Sequence, residues 1–413
     1  MKKQLIKVSL FLNYIVFAML LNSVGTVIMQ AIEVYGVTKV EASVLEPFKD
    51  LSIVIFTFFV GSYLPRYGLK RSMLTGLGLT TVAVIIMPIV NQFWATKLLF
   101  AATGMSFGLV KVSVYSIVGL VTKDTNEHNS LMSSLEGTFM IGVLAGYWLF
   151  GAFIDSANPA DPSWLNVYWI LAACTTISFL VLWFSELDES EAQADENAEM
   201  EQDFFAMFKL LKKSLVLFFA ITVFIYVLIE QGIGTWLPTF NKEILRLASG
   251  LSVQFTSILA AASAIGRLLA GQMVKRIHWF SLLSISLLCA GVLMVLTLPL
   301  TYGLEVTEIT NWVDAPLAAY IFPLLFLFLA PVYPIINSVI LSALPKYEQS
   351  AMSGLIVAFS ALGGTTGSVV TGVVFSAFSG QTAFYLYLIP VGLLILLLWL
   401  MHRRLKLTLE PAH

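Results

Sequence analysis

Charged residues are scarce in this 413-residue chain. Asp, Glu, Lys and Arg make up 12% of the sequence, hydrophobic residues make up 58%, and the mean hydropathy is +0.87. Soluble domains carry about 25% charged residues, so this composition excludes a soluble globule. The formal net charge of −2, without a basic patch interleaved with aromatics, argues against a nucleic-acid partner. We therefore expect a protein embedded in the lipid bilayer.

The residue types of catalysis and metal binding are also scarce. The two cysteines, Cys174 and Cys289, lie far apart in apolar surroundings, which is typical of packing thiols and not of a disulfide or a metal pair. The four histidines lie at or beyond the ends of apolar segments. The sequence contains no GxxxxGK phosphate loop and no His-x-x-x-His pair. We expect no enzyme, no ATP-driven pump, no cofactor and no metal.

Long apolar runs dominate what is present, and short polar turns separate them. Each is near or above the ~20 residues that a helix needs to cross the hydrocarbon. The twelve runs cover roughly 7–35, 41–65, 71–91, 94–122, 129–154, 163–185, 205–240, 250–274, 278–301, 316–344, 348–379 and 381–402. They predict an all-α membrane protein with two six-helix bundles, 1–185 and 205–413. The acidic segment 186–204 is predicted to be a flexible linker between them.

The distribution of basic residues predicts the orientation of the chain. About sixteen Lys and Arg residues fall on the side of the two termini and the linker, and four fall on the other side. The positive-inside rule then places both termini and the linker in the cytoplasm. The apolar run at the N-terminus exceeds the usual signal-peptide core, so we expect it to be retained as the first span. The size of the chain and its short loops suggest the cytoplasmic (inner) membrane of a bacterium, and we expect a monomer.

A weak internal repeat relates the two halves. The second span ends in GSYLPRYGLKR and the eighth in GRLLAGQMVKRIHW, each a glycine followed by a basic turn. With the layout of six plus six spans and the acidic linker, the chain resembles the major facilitator superfamily. The resemblance implies two pseudo-symmetric helix bundles and alternating access around a central cavity. Pro65 stands where the superfamily's loop motif normally has an acid, and the residues that match the motif are Gly61, Arg66, Gly68, Lys70 and Arg71.

Within that superfamily, several stretches resemble the fucose:proton symporter group. They are LLNSVGTVIMQ, FAATGMSFGLVKVSVYS, IYVLIEQGIGTWLPTF and APVYPIINSVILSALPKYEQSAMSGLIVAFSALGG. The chain departs from the group at two acids: Gly25 or Thr26 stands where span one carries an Asp, and Lys111 where span four carries a Glu. A drug antiporter is not supported either, because span five lacks the Gly-Pro motif of that class. Because Lys111 stands where the fucose group carries an acid, we favour an anionic or zwitterionic solute over a neutral sugar.

Glu46, Lys49 and Asp50 lie inside the second span. Each ionisable residue costs about 2.5–3.5 kcal/mol at the bilayer centre, so such residues usually face a cavity or one another. Glu46 and Asp50 are four residues apart and share a helix face, with Lys49 to one side. The two acids could load and release a proton. Alternatively, both acids lie near the outer headgroups and Lys49 snorkels.

Lys111 and Glu136 are further ionisable residues within spans. The resemblance implies that spans one, four, seven and ten line the cavity, which would expose Lys111 and Glu230 to the solute. An ammonium in a dry site needs an acid, an anionic substrate or water. Lys111 therefore either contacts the solute or forms a structural pair with Glu136 or Asp50. Glu136 follows small residues, so we expect it at a tight helix contact, as a third candidate for proton coupling.

The seventh span contains IEQGIGTW, in which Glu230 and Gln231 are candidate solute contacts. Gly232 and Gly234 predict a break in this helix near the cavity. Trp236 either stacks on a ligand or belongs to the outer aromatic belt. Arg267 in the eighth span is interpreted as a structural cation, and Pro331 and Pro334 should kink the tenth span. The other candidate substrate-binding residues are Asn22, Gln30, Tyr115, Tyr333 and Asn337.

These observations predict a secondary active transporter that moves a small polar solute together with protons by alternating access. Its partners would be the solute, protons and the lipid bilayer. Two alternatives stay open at this point. One is a proton-coupled sugar symporter, and the other is a lipid flippase or a membrane sensor that does not transport.

Overall fold

The computed structural model describes residues 2–61, 67–122, 124–189, 209–304 and 307–409. Throughout these ranges the regular structure is helical, apart from one isolated bridge between Leu247 and Ile309. This agrees with a chain in which every backbone polar group within lipid must be satisfied inside its own segment. Pro65 and Arg66 of the loop motif, and most of the acidic linker, lie outside the described residues.

The chain divides into two compact units. Unit 1 comprises Met1–Val37 and Val44–Gln202, and unit 2 comprises Thr38–Ser43 and Asp203–His413. The helices of unit 1 are α1 (Lys2–Leu21), α2 (Val24–Tyr35), α4 (Leu45–Gly61), α5 (Leu69–Val90), α6 (Phe93–Val121), α7 (Thr125–Phe153) and α8 (Val167–Phe184), the last preceded by a 3₁₀ turn at Pro162–Asn166. The short helix α3 (Lys39–Ser43) packs within unit 2, although its chain neighbours on both sides belong to unit 1.

The other helices of unit 2 follow the linker in chain order. They are α9 (Ser214–Glu243), α10 (Ser249–Met273), α11 (Trp279–Thr297), α12 (Leu317–Ile321), α13 (Leu325–Leu329), α14 (Val332–Ala343), α15 (Lys346–Ala377), α16 (Gly380–Tyr385) and α17 (Leu388–Leu409). Short 3₁₀ turns cover Leu210–Lys212, Leu298–Thr301 and Phe322–Leu324. The most extensive helix contact in this unit joins α9 and α15.

The predicted set of membrane spans is confirmed. Eleven segments of the described chain are long and apolar enough to cross a membrane. The remaining predicted span, the second, is α4, which has 17 residues and contains Glu46, Lys49 and Asp50. The chain is therefore an all-α, multi-pass membrane protein, as its apolar runs predict.

The first and tenth spans are interrupted where polar or proline residues occur. Between α1 and α2, Asn22 Nδ2 donates to the Ala18 carbonyl at 2.9 Å, and Ser23 Oγ donates to the Leu20 carbonyl at 2.7 Å. The tenth span is divided into α12, α13 and α14, with Pro331 immediately before α14. The predicted disruption of that span is confirmed at Pro331, because a proline removes one backbone donor and crowds the preceding turn, whereas Pro334 lies within α14.

The predicted break in the seventh span is wrong. Helix α9 runs without interruption for 30 residues, through Gly232 and Gly234. A Cβ at Gly232 would overlap the Tyr387 hydroxyl group, which itself pairs with Thr371. Gly232 therefore allows close packing and does not weaken the helix, because tertiary contacts outweigh its propensity cost of about 1 kcal/mol.

The start of α5 is held by the end of unit 1. The Glu189 carboxylate accepts hydrogen bonds from the backbone N–H groups of Leu69 at 2.8 Å and Lys70 at 3.0 Å. Lys70 Nζ donates to the carbonyls of Trp183 at 2.9 Å and Ser185 at 2.6 Å, at the end of α8. An acid at a helix N-terminus and a cation at a helix C-terminus both oppose the helix dipole. Glu189 thus supplies a negative charge beside the loop motif.

Candidate functional site

Glu46, Lys49 and Asp50 form a buried ionic triad on α4. Lys49 Nζ and Glu46 Oε1 are hydrogen-bonded as an ion pair, and Lys49 Nζ lies 3.4 Å from Asp50 Oδ1. The side chains are 0% (Glu46), 8% (Lys49) and 12% (Asp50) exposed. Lys49 therefore pairs with the two acids and does not snorkel toward the headgroups, whereas the depth of the acids in the bilayer stays a prediction. Lys49 lies between the two acids because the i,i+3 spacing brings it back onto the face of Glu46.

Helices α6 and α7 enclose the triad. A Cβ at Gly104 on α6 would overlap the Lys49 carbonyl, so only glycine permits this approach of α6 to α4. Tyr147 of α7 lies within electrostatic range of Lys49 and Glu46. The glycine therefore determines how closely the helices surround the three charges and how little water reaches them.

Lys111 lies on α6, two turns after Gly104. Its Nζ is 5.8 Å from the centroid of the Phe107 ring and 6.0 Å from that of Tyr115, one turn on either side. Glu136 of α7 lies within electrostatic range, but no ion pair joins Lys111 to any carboxylate of the described residues. The structural pair with Glu136 or Asp50 is therefore not formed. Aromatic faces stabilise an ammonium only modestly, by about 0.5–2 kcal/mol.

Glu136 is exposed and not at a tight helix contact. A Cβ at its neighbour Gly137 would meet no packed atom within 4 Å. The prediction of a close contact there is wrong, because the small residues before Glu136 face outward with it. Tyr14 of α1 lies within electrostatic range of Glu136 and Tyr115. Lys111, Tyr115 and Glu136 are therefore brought together in unit 1, with Tyr14 beside them.

Glu230 belongs to a polar network inside unit 2. Arg267 Nη2 lies 3.3 Å from Glu230 Oε1, and the Tyr226 hydroxyl donates to the same oxygen at 2.8 Å. The rings of Tyr226 and Tyr333 lie 5.8 Å apart. The Tyr333 hydroxyl continues the network to Ser360 Oγ at 3.2 Å. Arg267 is thus an ionic partner of Glu230, which is compatible with its interpretation as a structural cation.

Trp236 is fully buried, and its indole N–H donates to the Ser368 carbonyl at 2.9 Å. Its ring packs 5.8 Å from that of Phe375. Ligand stacking and membership of the outer aromatic belt both require an accessible ring, and this conformation offers none. Gln231, just over one turn earlier, is half-buried, and its predicted role stays a prediction.

The remaining candidates occupy different surroundings. Asn22 is half-buried, and its side-chain amide donates a hydrogen bond to the Ala18 carbonyl at the end of α1. Gln30 on α2 is fully buried, yet neither of its amide atoms has a hydrogen-bond partner among the described residues. Asn337 on α14 lies beside Tyr333. A buried unpaired amide costs about 1–3 kcal/mol, so Gln30 is the candidate here that most requires a polar partner.

Three network residues were missed by sequence reasoning, namely Tyr14, Tyr226 and Ser360. Tyr226 and Glu230 are four residues apart on α9, a spacing that puts them on one helix face and could have suggested their hydrogen bond. Tyr14 and Ser360 have no comparable local signal, because their partners come from other helices. Among the described residues, no group of three His, Cys, Asp or Glu side chains is arranged to hold a metal ion.

Several solved structures share this fold. The nucleoside transporter NupG aligns with a TM-score of 0.72 at 15% identity, covering 97% of this chain and 99% of NupG. A bacterial homologue of the human lysosomal transporter Spinster aligns with a TM-score of 0.77 at 12% identity, covering 100% and 99%. FucP, a major facilitator transporter, aligns with a TM-score of 0.61 at 15% identity, covering 97% and 99%. At these identities the likeness concerns the fold alone.

A comparison with curated protein sequences finds no significant match. The family model described as "Major Facilitator Superfamily" matches residues 8–363, which is most of the chain. This match includes both units and agrees with the glycine-basic turns and the twelve spans. The chain belongs to the major facilitator superfamily, and it is a membrane transporter.

Proposed function

We propose that this protein is a secondary active transporter of a small anionic or zwitterionic solute, coupled to protons and working by alternating access. The proposed contacts of the solute are Asn22, Gln30, Lys111, Tyr115, Glu230, Gln231, Tyr333 and Asn337. The proposed carriers of protons are Glu46, Asp50 and Glu136. Consistent with the basic turns, we place the protein in the inner membrane of a bacterium, with both termini in the cytoplasm.

The observation that carries this proposal is the isolation of Lys111. It is a cation in the middle of a membrane span, half-buried, and without an ion pair to any described carboxylate. Its two aromatic neighbours cannot replace the hydration of an ammonium. A carboxylate or phosphate group of the solute would complete its surroundings, which is why an anionic group is favoured.

Two further observations support a polar solute. Gln30 offers a buried donor and acceptor that have no protein partner among the described residues. In unit 2, the acid Glu230 is held by Arg267 and Tyr226, and its side chain is 19% exposed. A partly exposed acid of this kind suits the positive end of a zwitterion.

The test compares uptake by proteoliposomes from a mixed pool of metabolites, read by mass spectrometry. The Lys111→Gln variant should take up the solute of the wild type at least tenfold more slowly, because one lost charge-assisted hydrogen bond is worth about 1.5–3 kcal/mol. Lys97→Gln is the matched control. Lys97 lies on the same helix, and its Nζ is 4.7 Å from the centroid of Phe93.

Each outcome of this test decides between named alternatives. Undiminished uptake by Lys111→Gln would overturn the anionic-solute proposal. If the solute taken up is a neutral sugar or a nucleoside, the protein transports the same kind of solute as its structural neighbours, which are FucP, the D-xylose-proton symporter and the nucleoside transporter NupG. If no solute of the pool enters but labelled lipid crosses the bilayer, the protein is a lipid flippase.

A further inference from the structure

The triad on α4 contains one charge too many for a buried site. Two carboxylates and one ammonium carry a net charge of −1 when all three are ionised. Moving one such uncompensated charge into a low-dielectric interior is costly, and the cost stays substantial after relaxation. Since the three side chains are no more than 12% exposed, water cannot compensate this charge. The site must therefore hold one further positive charge.

The two acids are not equivalent in geometry. Glu46 is fully buried and forms the close, hydrogen-bonded ion pair with Lys49. Asp50 lies farther from the ammonium, at 3.4 Å, and is the more exposed of the two. The closer pair is the stronger one, because a charge-assisted hydrogen bond adds to the Coulomb attraction. Asp50 is left as the acid whose charge is uncompensated.

On the described helices that pack against the triad, no cation supplies the missing positive charge. Helix α4 packs on α6 and α2, and α7 reaches the triad through Tyr147. The cations of α6, Lys97 and Lys111, lie seven residues on either side of Gly104, about 10 Å along the helix at 1.5 Å per residue. The ionisable groups of α2 are Glu33 and Tyr35 in its last turn, and neither is a cation.

We infer that Asp50 carries one exchangeable proton, while Lys49 and Glu46 form a permanent ion pair that keeps this proton on Asp50. The inference rests on the proposed proton coupling and assigns it to a single carboxyl group. Charge balance then predicts the number of protonated carboxyl groups in each variant. There is one in the wild type, none in Asp50→Asn, none in Glu46→Gln, and two in Lys49→Met.

The test is infrared spectroscopy of the purified protein in lipid, titrated with pH in the absence of solute. A protonated carboxyl group is recognised by its C=O stretch, which the ionised form lacks. The wild type should show one such band that disappears as the pH rises. Labelling all aspartates with ¹³C should move the band to lower frequency, whereas labelling the glutamates should not. The matched control is Asp155→Asn, at an exposed position of unit 1, which should retain the band.

Three results would overturn the inference. A band that moves with the glutamate label would assign the proton to a glutamate and not to Asp50. The absence of any titrating band would mean that the triad stays fully charged. A band that appears only when sodium is replaced by choline would mean that a metal cation, and not a proton, neutralises Asp50. Because no transport is measured, the proposed solute can be wrong without affecting these outcomes.

If Lys49→Met does not fold, the label experiment on the wild type and the Asp50→Asn spectrum still decide the assignment. A separate measurement links it to transport. Asp50→Asn should lose accumulation driven by an imposed pH gradient but retain exchange of the solute that the wild type takes up. Unaltered accumulation in Asp50→Asn, with the infrared assignment intact, would place proton coupling elsewhere, and loss of both activities would contradict a role of Asp50 in coupling alone.

Discussion

The two units treat their intramembrane charges in opposite ways. Unit 1 combines a closed triad on α4 with an isolated cation, Lys111, on the adjacent helix α6. Unit 2 pairs its acid, Glu230, with Arg267 and adds a tyrosine hydroxyl. The Arg267 side chain is 43% exposed, whereas the triad is almost fully buried. Unit 2 therefore compensates its own charges, while unit 1 leaves one cation and one acid for a partner or a proton.

The largest expected effect comes from removing Lys49, the cation of the triad, compared with removing Arg267, the cation of the cluster in unit 2. Lys49→Met should destabilise the protein by about 3 kcal/mol, because it leaves two buried acids without a partner. Arg267→Met should cost about 1 kcal/mol or less, since its ion pair is partly solvated. Thermal unfolding in the same detergent compares the two variants. Equal shifts of the apparent Tm would contradict the contrast between a closed and an open cluster.

A second prediction concerns the glycines beside Glu230. Gly232→Ala should destabilise unit 2 by about 1–3 kcal/mol, because the added methyl group overlaps the side chain of Tyr387. Gly234→Ala is the matched control, since its methyl group would meet Phe326 at an ordinary 3.8 Å. The control should be neutral or stabilising, as alanine favours the helix. If both variants unfold at the wild-type temperature, Gly232 does not serve packing.

The smallest effect is expected at the margin of unit 1, where charges are partly solvated. Glu189→Gln should cost about 0.3–1 kcal/mol, because the carboxylate that accepts from Leu69 and Lys70 loses its charge at the N-terminus of α5. Salt should diminish the difference from the wild type. Thermal unfolding at low and high ionic strength measures this difference in stability, and Glu186→Gln is the control at a nearby exposed position. A larger loss than for Lys49→Met would reverse the order proposed here.

The membrane fold was predictable from the sequence for a physical reason. A helix must bury its backbone polar groups within its own segment to cross lipid, so each span leaves a run of about 20 apolar residues. Interruptions were less predictable. Proline broke the tenth span as expected, but glycine did not break the seventh, because the space beside Gly232 is occupied by Tyr387.

The candidate site was predictable only as a set of residue types. The acids and lysines stood out because charge is rare within apolar runs. Which of these charges pair with one another could not be predicted, since pairing depends on contacts between positions that are distant in the sequence. Arg267 and Glu230 are separated by 37 residues, and Glu136 proved exposed where small neighbours suggested a tight contact. Trp236 likewise lies buried against Phe375, although its position near a span end favoured an accessible ring.

The sequence by itself determined that this protein lies in a membrane, has twelve spans in two halves and belongs to a transporter superfamily. The membrane location and the spans follow from local composition, which sets how each segment partitions between lipid and water, and the superfamily follows from the match of its family model to residues 8–363. The tertiary structure alone decided which charges are compensated. Ion pairing depends on distances of a few ångströms between helices, and those distances are set by side-chain packing and by glycines such as Gly104.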